Sequence, residues 1–220
     1  GRATFPVMSR DQRIKFCGLT DPADVDACVR AGAWAIGAIM TPHGPRALDA
    51  ARAAAVMHAV PPGVERVGVF VQARPDEVAR AVQACGLTRV QLHRTADVAG
   101  VARASGVPVT LAIPLVDEAS IAQGDAVECD LVLFDAAVPG ADGGTGVRAD
   151  WGLLERRRPA RPFALAGGLT PANVGDAVRR VRPDILDVSS GVEAGPGRKD
   201  PDRVAAFAFA ARQAAMEVAA

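Results

Sequence analysis

The sequence predicts a single α/β domain folded as a (β/α)8 TIM barrel, and three observations favour this class. Short apolar runs alternate with alanine-rich amphipathic segments eight times along the chain. Parallel neighbouring strands need a crossover connection, for which a helix is the usual solution. Eight such units in 220 residues fit a compact barrel, and no composition break indicates a second domain. We therefore expect residues 1–13 to be an N-terminal extension or processing remnant, and residues 14–220 to form the barrel.

The predicted elements follow one another in strand–helix order. The strands are Ile14–Cys17, Trp34–Met40, Val67–Val71, Arg89–His93, Val107–Ile113, Leu131–Asp135, Phe163–Ala166 and Ile185–Ser189. The helices are Pro22–Ala31, Ala47–Ala59, Pro75–Ala84, Ala96–Ser105, Asp117–Gln123, Trp151–Arg157, Pro171–Val181 and Asp200–Ala219. Asp21-Pro22 and Thr170-Pro171 each place an N-cap oxygen before a proline, and Arg74-Pro75 supplies the proline without a strong cap. Three helices are followed by a glycine suited to their C-terminal turn: Gly32, Gly86 and Gly106.

Charge and composition exclude several classes of protein. The 25 basic and 25 acidic residues cancel, so the electrostatic footprint of a nucleic-acid binder is absent. No apolar run approaches the ~18 residues of a membrane span, and the N-terminal segment lacks the apolar region of a secretory signal. The four cysteines are scattered without a metal-ligand spacing, which favours free thiols in a reducing compartment. We expect a cytoplasmic protein with no nucleic-acid or membrane partner.

Functional residues of such a barrel are expected at the carboxyl ends of its strands. This rule selects Cys17, His93, Asp135 and Ser189-Ser190 at strand ends, and Arg46 in the loop after the second strand. Glycine-containing loops follow strands seven and eight, which together form the usual phosphate site of this fold. The predicted phosphate-binding residues are therefore Gly167, Gly168, Ser190 and Gly191, the alternative being that both loops are merely tight turns.

Cys17 and Asp135 are the candidates for proton transfer, because the first and sixth strands lie nearly across the barrel mouth. Lys15 shares a strand face with Cys17, and its ammonium is expected to lower the thiol pKa from about 8.5 toward neutrality. Asp135 is either a loop-tying residue or a catalytic acid whose pKa burial would raise. Asp187, on the strand that closes against the first, is expected to pair with Lys15.

Two further residues complete the candidate pocket. Arg46 is either a solvated loop residue or the bidentate partner of a substrate carboxylate. His93 either lines the pocket or caps its strand; with Lys15 and Asp187 it is a candidate for supporting the pocket. No metal-ligand set, dinucleotide fingerprint or hydrolase elbow occurs in the sequence, so no metal or cofactor is expected. A phosphate site with one base and one acid indicates an isomerase or lyase acting on a phosphorylated sugar-like substrate.

A series of distinct short motifs lies between Ile14 and about Phe209. They are Lys15-Phe16-Cys17-Gly18-Leu19-Thr20, Gly68-Val69-Phe70-Val71, Val90-Gln91-Leu92-His93, Gly143-Gly144-Thr145-Gly146, Leu165-Ala166-Gly167-Gly168-Leu169, Asp187-Val188-Ser189-Ser190-Gly191-Val192-Glu193 and Gly197-Arg198-Lys199-Asp200. In this order and over nearly the whole chain, they resemble the phosphoribosylanthranilate isomerases of tryptophan biosynthesis.

The resemblance implies a cofactor-free Amadori rearrangement of N-(5-phosphoribosyl)anthranilate to 1-(2-carboxyphenylamino)-1-deoxyribulose 5-phosphate. It implies that Asp135 is the general acid and Cys17 the general base, that Arg46 holds the anthranilate carboxylate, and that the two glycine loops hold the phosphate. The partner is then a small phosphorylated substrate, and the chain is a monomer or homodimer. Two departures rim the mouth: Gly44 in the loop before Arg46, where the family commonly has serine, and Arg94, where it usually has glycine.

Two other functions are alternatives to the anthranilate isomerase that the resemblance implies. A histidine-pathway or dual-substrate phosphoribosyl sugar isomerase uses aspartates at the ends of strands one and five, whereas these strands end here in Cys17 and Ile113-Pro114. A non-catalytic phosphosugar-binding barrel would keep the glycine loops but lose the acid or the base, and both are present.

Overall fold

Eight buried strand segments close into one parallel barrel in the computed structural model, which describes residues 12–41, 43–136 and 150–220. The strands are β1 (Arg13–Cys17), β2 (Ala35–Ile39), β3 (Glu65–Val71), β4 (Arg89–His93), β5 (Val109–Leu115), β6 (Leu131–Ala136), β7 (Phe163–Leu165) and β8 (Ile185–Val188). Each strand pairs with its sequence neighbours, and β8 pairs back onto β1. The predicted TIM barrel is confirmed. The motif Gly143–Gly146 and residues 1–11 lie outside the described residues.

A helix follows each strand, as predicted, and covers its outer face. The helices are α1 (Ala23–Arg30), α2 (Ala50–His58), α3 (Pro75–Cys85), α4 (Val98–Ser105), α5 (Glu118–Ala126), α6 (Trp151–Arg156), α7 (Val174–Val181) and α8 (Pro201–Ala219). Phe16 of β1 packs edge-on against Phe207 of α8, with 6.3 Å between ring centroids, and both side chains are fully buried. Burying such a side chain contributes about 1.5–3 kcal/mol, so the sheet–helix layer supplies most of the core.

Local hydrogen bonds explain where the predicted helix ends were misplaced, by at most three residues. The second helix begins after Asp49, whose side chain accepts a hydrogen bond from the Arg52 amide at 2.8 Å. The predicted N-cap at Thr170 is wrong: its amide donates to Asn173 Oδ1 at 2.8 Å, and the intervening residues form a turn before α7. The predicted helix-ending glycines are confirmed, since all three have a positive φ: Gly32, Gly86 and Gly106.

The fifth strand lies two residues further along the chain than predicted. Its first residue, Val109, donates its amide to Asp130 Oδ2 at 2.7 Å. At the other end Pro114 and Leu115 remain paired with β6, so the strand continues through the proline. The residue pair Ile113-Pro114 is therefore inside β5 rather than at its end.

A short connection between β8 and α8 has no counterpart in the prediction. A 3-10 turn, Ser190–Val192, leads into an antiparallel ribbon of β9 (Glu193–Gly195) and β10 (Arg198–Lys199). Segments of two or three residues carry no detectable periodicity, which is why sequence patterns missed them. The ribbon brings Glu193 and Lys199 to the edge of the barrel where the strands end.

Within the part of the chain that the structure describes, no helix has the length and apolar character to cross a membrane. In the same residues, no three His, Cys, Asp or Glu side chains converge on a common point suited to a metal ion. The four cysteines, Cys17, Cys28, Cys85 and Cys129, are free thiols.

Candidate active site

A buried ion pair lies inside the barrel where β1 closes against β8. Lys15 and Asp187 are register partners across this seam, and Lys15 Nζ donates to Asp187 Oδ2 at 2.8 Å. Their side chains are only 5% and 6% exposed. An unpaired charge at such depth would be strongly destabilising, so each group compensates the other. The predicted pairing of these two residues is confirmed.

Cys17 lies one layer above this pair, at the carboxyl end of β1. Its hydrogen-bonding and electrostatic neighbours include Lys15, as the shared strand face predicts. Gly37 on β2 leaves the room that the thiol needs, because a Cβ atom at this position would lie 3.0 Å from Cys17 Sγ and 3.1 Å from Lys15 Cε. The thiol is thus buried in a close-fitting polar chamber.

The direction of the Cys17 pKa differs from the sequence prediction. Burial raises the pKa of the thiol above its ordinary value, and the nearby Asp187 carboxylate raises it further. Lys15 acts in the opposite direction but does not outweigh burial, because its charge is neutralised by Asp187. The expected shift toward neutrality is therefore wrong, and Cys17 is a protonated thiol near neutrality.

Asp135 lies near the carboxyl end of β6, and its Oδ1 accepts a hydrogen bond from the Ala136 amide at 2.8 Å. Burial and the neighbouring Asp187 carboxylate raise the pKa of Asp135 to about 6, against the opposing effect of Lys15. The predicted direction is confirmed. Asp135 and Cys17 both interact electrostatically with the same buried pair, so they belong to one chamber.

Arg46, in the loop after β2, is held by a carboxylate that the sequence reading did not assign. Its Nε donates to Glu193 Oε1 at 2.9 Å, and its Nη2 donates to Glu193 Oε2 at 2.7 Å. Lys199 Nζ binds the same carboxylate at 2.8 Å and also donates to the backbone carbonyl of Cys17 at 2.7 Å. These contacts place the arginine beside the end of β1.

Glu193 and Lys199 occur in the quoted motifs, yet sequence reasoning gave them no role. Their side chains are only 4% and 0% exposed. The available signal was their position, since charged residues just after the eighth strand lie at the edge where such barrels build their sites.

The two glycine loops lie against each other backbone to backbone. At Gly191 an added Cβ atom would lie 1.9 Å from the carbonyl oxygen of Leu169, in the loop after β7. Gly167 has a φ of +89°, and a Cβ there would lie 2.5 Å from the Ala136 amide nitrogen. Only glycine permits both approaches. The predicted phosphate loops thus meet at one place, together with Gly168 and Ser190.

Two buried polar atoms near these loops have no hydrogen-bond partner among the described residues. They are Asp187 Oδ1 and Ser189 Oγ. Since buried polar groups are nearly always paired, such atoms are typical of a site completed by a ligand.

His93 lies at the end of β4, where its Nε2 is 2.9 Å from Gln91 Nε2 of the same strand. The next residue, Arg94, has a φ of +51°, in the left-handed region that favours glycine. A glycine at this position would adopt the same backbone conformation without the steric cost that Arg94 bears.

Proton transfer at a phosphorylated sugar is the chemistry that a thiol, a carboxylic acid and paired backbone loops suit, which places the chain in the class of TIM-barrel sugar isomerases. The family model described as N-(5′-phosphoribosyl)anthranilate isomerase matches residues 14–210. A relative of that name from Cereibacter sphaeroides is 42% identical over 208 residues, covering 91% of this chain and 98% of the relative.

Solved structures give the same result. The phosphoribosyl anthranilate isomerase from Thermotoga maritima superposes with a TM-score of 0.82 at 33% identity, covering 91% of this chain and 98% of that one. A second, in complex with reduced 1-(o-carboxyphenylamino)-1-deoxyribulose 5-phosphate, has a TM-score of 0.79 at 32% identity and the same coverage. The chain belongs to the N-(5′-phosphoribosyl)anthranilate isomerase family.

Proposed function

We propose that this chain catalyses the Amadori rearrangement of N-(5′-phosphoribosyl)anthranilate in tryptophan biosynthesis, with Asp135 as general acid and Cys17 as general base. The observation that carries the assignment is that both groups, from strands nearly opposite in the barrel, border the Lys15–Asp187 pair. A substrate above this pair would have a proton donor on one side and an acceptor on the other.

The first step needs a protonated carboxyl. Asp135 donates its proton to the ribose ring oxygen, and the ring opens to a Schiff base between the sugar and the anthranilate nitrogen. With its pKa at about 6, Asp135 retains its proton in a useful fraction of molecules near neutrality. That fraction is about one tenth at pH 7, compared with about one thousandth for an ordinary aspartate.

The second step needs a thiolate. Cys17 removes the C2′ proton, the C–H electrons move into the iminium, and the resulting enolamine tautomerises to the ketone, 1-(2-carboxyphenylamino)-1-deoxyribulose 5-phosphate. The substrate's own iminium accepts the electrons, so the reaction requires no cofactor.

The raised pKa of Cys17 determines how many protons Cys17 and Asp135 hold together near neutrality. Near neutrality the prevailing form has the proton on Cys17 and none on Asp135. The reactive form has the same single proton on Asp135 instead. Because the two forms contain equal numbers of protons, their ratio does not change with pH, and between the two pKa values this singly protonated level prevails.

Binding is assigned to the remaining groups. Arg46 holds the anthranilate carboxylate through its guanidinium, which suits planar bidentate recognition. Backbone amides of the two glycine loops hold the phosphate, around Gly167-Gly168 and Ser190-Gly191. Lys15, Asp187 and His93 support the pocket walls. A solved structure of the family holds reduced 1-(o-carboxyphenylamino)-1-deoxyribulose 5-phosphate, which supports a ligand that carries both a carboxylate and a phosphate.

The histidine-pathway rival needs an aspartate at the end of strand five. That strand ends at Leu115, and the first acidic residue after it, Asp117, caps α5 by accepting the Ser120 amide at 2.9 Å. An exposed capping carboxylate is poorly placed for catalysis inside the barrel, which favours the anthranilate substrate.

A turnover assay with the anthranilate and histidine-pathway substrates side by side tests the proposal. The fluorescence of the anthranilate group reports both turnover and binding. We expect turnover of the anthranilate substrate alone, with Cys17→Ala and Asp135→Asn, purified identically, as controls for host enzyme. Binding without turnover would support the non-catalytic barrel, and turnover of the histidine-pathway substrate would support a dual-substrate enzyme.

A further inference from the structure

The guanidinium of Arg46 is fixed along one edge by a buried carboxylate. Nε and Nη2 both donate to Glu193, and the two side chains are only 12% and 4% exposed. A bidentate pair of this kind restricts the orientation of an arginine far more than a single contact does. Arg46 is therefore presented in a defined direction.

Glu193 is itself held by a fully buried lysine. Lys199 Nζ donates to Glu193 Oε1 at 2.8 Å and to the carbonyl oxygens of Cys17 and Ser189 at 2.7 and 3.1 Å. One ammonium thus connects the end of β1, the end of β8 and the partner of Arg46. Any displacement of Glu193 would also disturb these contacts.

The side chains of Arg46, Glu193 and Lys199 carry a net positive charge, which favours the binding of one further anion. Arg46 and Lys199 contribute two positive charges and Glu193 one negative charge, a sum of +1 at low exposure. Among residues 12–41, 43–136 and 150–220, Nη1 of Arg46 has no acceptor within hydrogen-bond distance. The side chain also packs over Gly18, where a Cβ atom would lie 2.7 Å from Arg46 Cδ.

We propose that Glu193 is a positioning residue, which directs the Nη1–Nη2 edge of Arg46 toward the substrate carboxylate beside Cys17, while Lys199 fixes Glu193. The inference rests on the proposed role of Arg46 in carboxylate binding. It assigns the carboxylate to the end-on edge of the guanidinium, because the Nε–Nη2 edge is already occupied by protein.

The test uses Glu193→Gln and two probes. One probe is reduced 1-(o-carboxyphenylamino)-1-deoxyribulose 5-phosphate, and the other is the same molecule with a carboxamide in place of the carboxylate. We expect the dissociation constant of the acid probe to rise about 5–30-fold, within the range for a weakened hydrogen bond to a charged group. The dissociation constant of the amide probe should change by less than about twofold. In steady-state turnover by the variant, KM should rise by a larger factor than kcat falls.

Two controls accompany this variant. Glu155 and Arg180 form a similar bidentate pair on α6 and α7, away from the site, with contacts of 2.6 and 2.9 Å. Glu155→Gln should leave the dissociation constants of both probes unchanged. Arg46→Ala should raise the dissociation constant of the acid probe. Adding Glu193→Gln to Arg46→Ala should raise it by less than about a further twofold, because the effects of residues that act through one group are not additive.

The outcomes separate the two assignments. If Arg46→Ala leaves the acid probe unaffected, the proposed role of Arg46 is wrong. If Arg46→Ala weakens binding but Glu193→Gln affects both probes equally, or adds its full effect to Arg46→Ala, the positioning role is overturned. Should Glu193→Gln unfold because Lys199 is left uncompensated, the double variant Glu193→Gln/Lys199→Met carries the same comparison and the same criteria.

Discussion

The carboxyl group of Asp135 illustrates how a site residue trades stability for reactivity. The burial that raises its pKa to about 6 keeps a proton available for the leaving ring oxygen. The same burial makes the ionised form costly in the folded protein, because water that would solvate the charge is excluded.

Asp135→Asn should lower kcat by about 10²–10⁴-fold, the usual contribution of a positioned general acid. The amide has a similar shape but no proton of suitable acidity, so substrate binding should be largely retained. Steady-state kinetics with the fluorescent substrate measure the effect. A kcat close to that of the wild type would remove Asp135 from the mechanism.

The same substitution should stabilise the protein at high pH. A folded-state pKa raised to about 6 means that the wild type loses stability as pH rises through that value, since the folded carboxyl holds its proton more tightly than the unfolded one. Asn does not ionise. Its stability relative to the wild type should therefore increase by about 1–3 kcal/mol between pH 4 and pH 8. Urea unfolding at the two pH values checks this, and an equal difference at both would contradict the raised pKa.

Cys17 should react with iodoacetamide with an apparent pKa above the ordinary value of about 8.5. Burial disfavours the thiolate more than Lys15 favours it. Alkylation rates measured across pH, with Cys17→Ser reporting the background from the other three thiols, give the value. An apparent pKa at or below that of a free cysteine would show that the ammonium prevails.

At the level of elements, the phosphate site depends on how closely two loops approach. The loops after β7 and β8 are in contact because Gly191 has no side chain, and the loop after β7 reaches the end of β6 because Gly167 has none. The approach joins residues that are separate in sequence, so it constrains both loops at once. The helix-ending glycines show the opposite behaviour: Gly86, for example, acts within its own turn and is recognised from local sequence.

Gly191→Ala should separate the loops and weaken phosphate binding. A methyl group 1.9 Å from the Leu169 carbonyl forces one backbone to move. We expect the inhibition constant of inorganic phosphate to rise about tenfold, as for a lost hydrogen bond to a charged group. Gly195→Ala, where an added Cβ meets no atom within 4 Å, is the matched control. Equal phosphate inhibition in both variants would place the phosphate elsewhere.

At the level of the whole molecule, the barrel closes through a charged seam. Lys15 and Asp187, 172 residues apart in the chain, join β1 to β8 beneath the chamber. This pair couples closure of the fold to the electrostatics of the catalytic groups, because Cys17 and Asp135 both respond to it.

Lys15→Met should destabilise the protein by about 3–5 kcal/mol, the effect of leaving one buried charge without its partner. The double variant Lys15→Met/Asp187→Leu should recover much of this loss, because neither charge remains. Urea unfolding of both variants against the wild type provides the measurement. A single variant within 1 kcal/mol of the wild type would show that the ion pair contributes little to the stability of the fold.

Most of the fold was accessible from local patterns. Strand–helix alternation, caps and helix-ending glycines are properties of neighbouring residues, so the barrel and nearly all its elements were predicted within three residues. The rule that barrels use their strand ends then selected Cys17, Asp135 and Arg46. The strands β9 and β10 were missed because segments of three and two residues are too short to show a hydrophobic period.

Other properties arise when distant residues are buried together. Arg46 and Glu193 are 147 positions apart, and Lys199 reaches the Cys17 carbonyl across 182 positions, so no local pattern reports these contacts. The direction of the Cys17 pKa likewise depends on how much water folding removes and on which countercharge already neutralises Lys15. Amino-acid order thus specifies the barrel and its reactive groups, whereas their charge states and orientations follow from three-dimensional burial, because desolvation and Coulomb energies depend on distance in space.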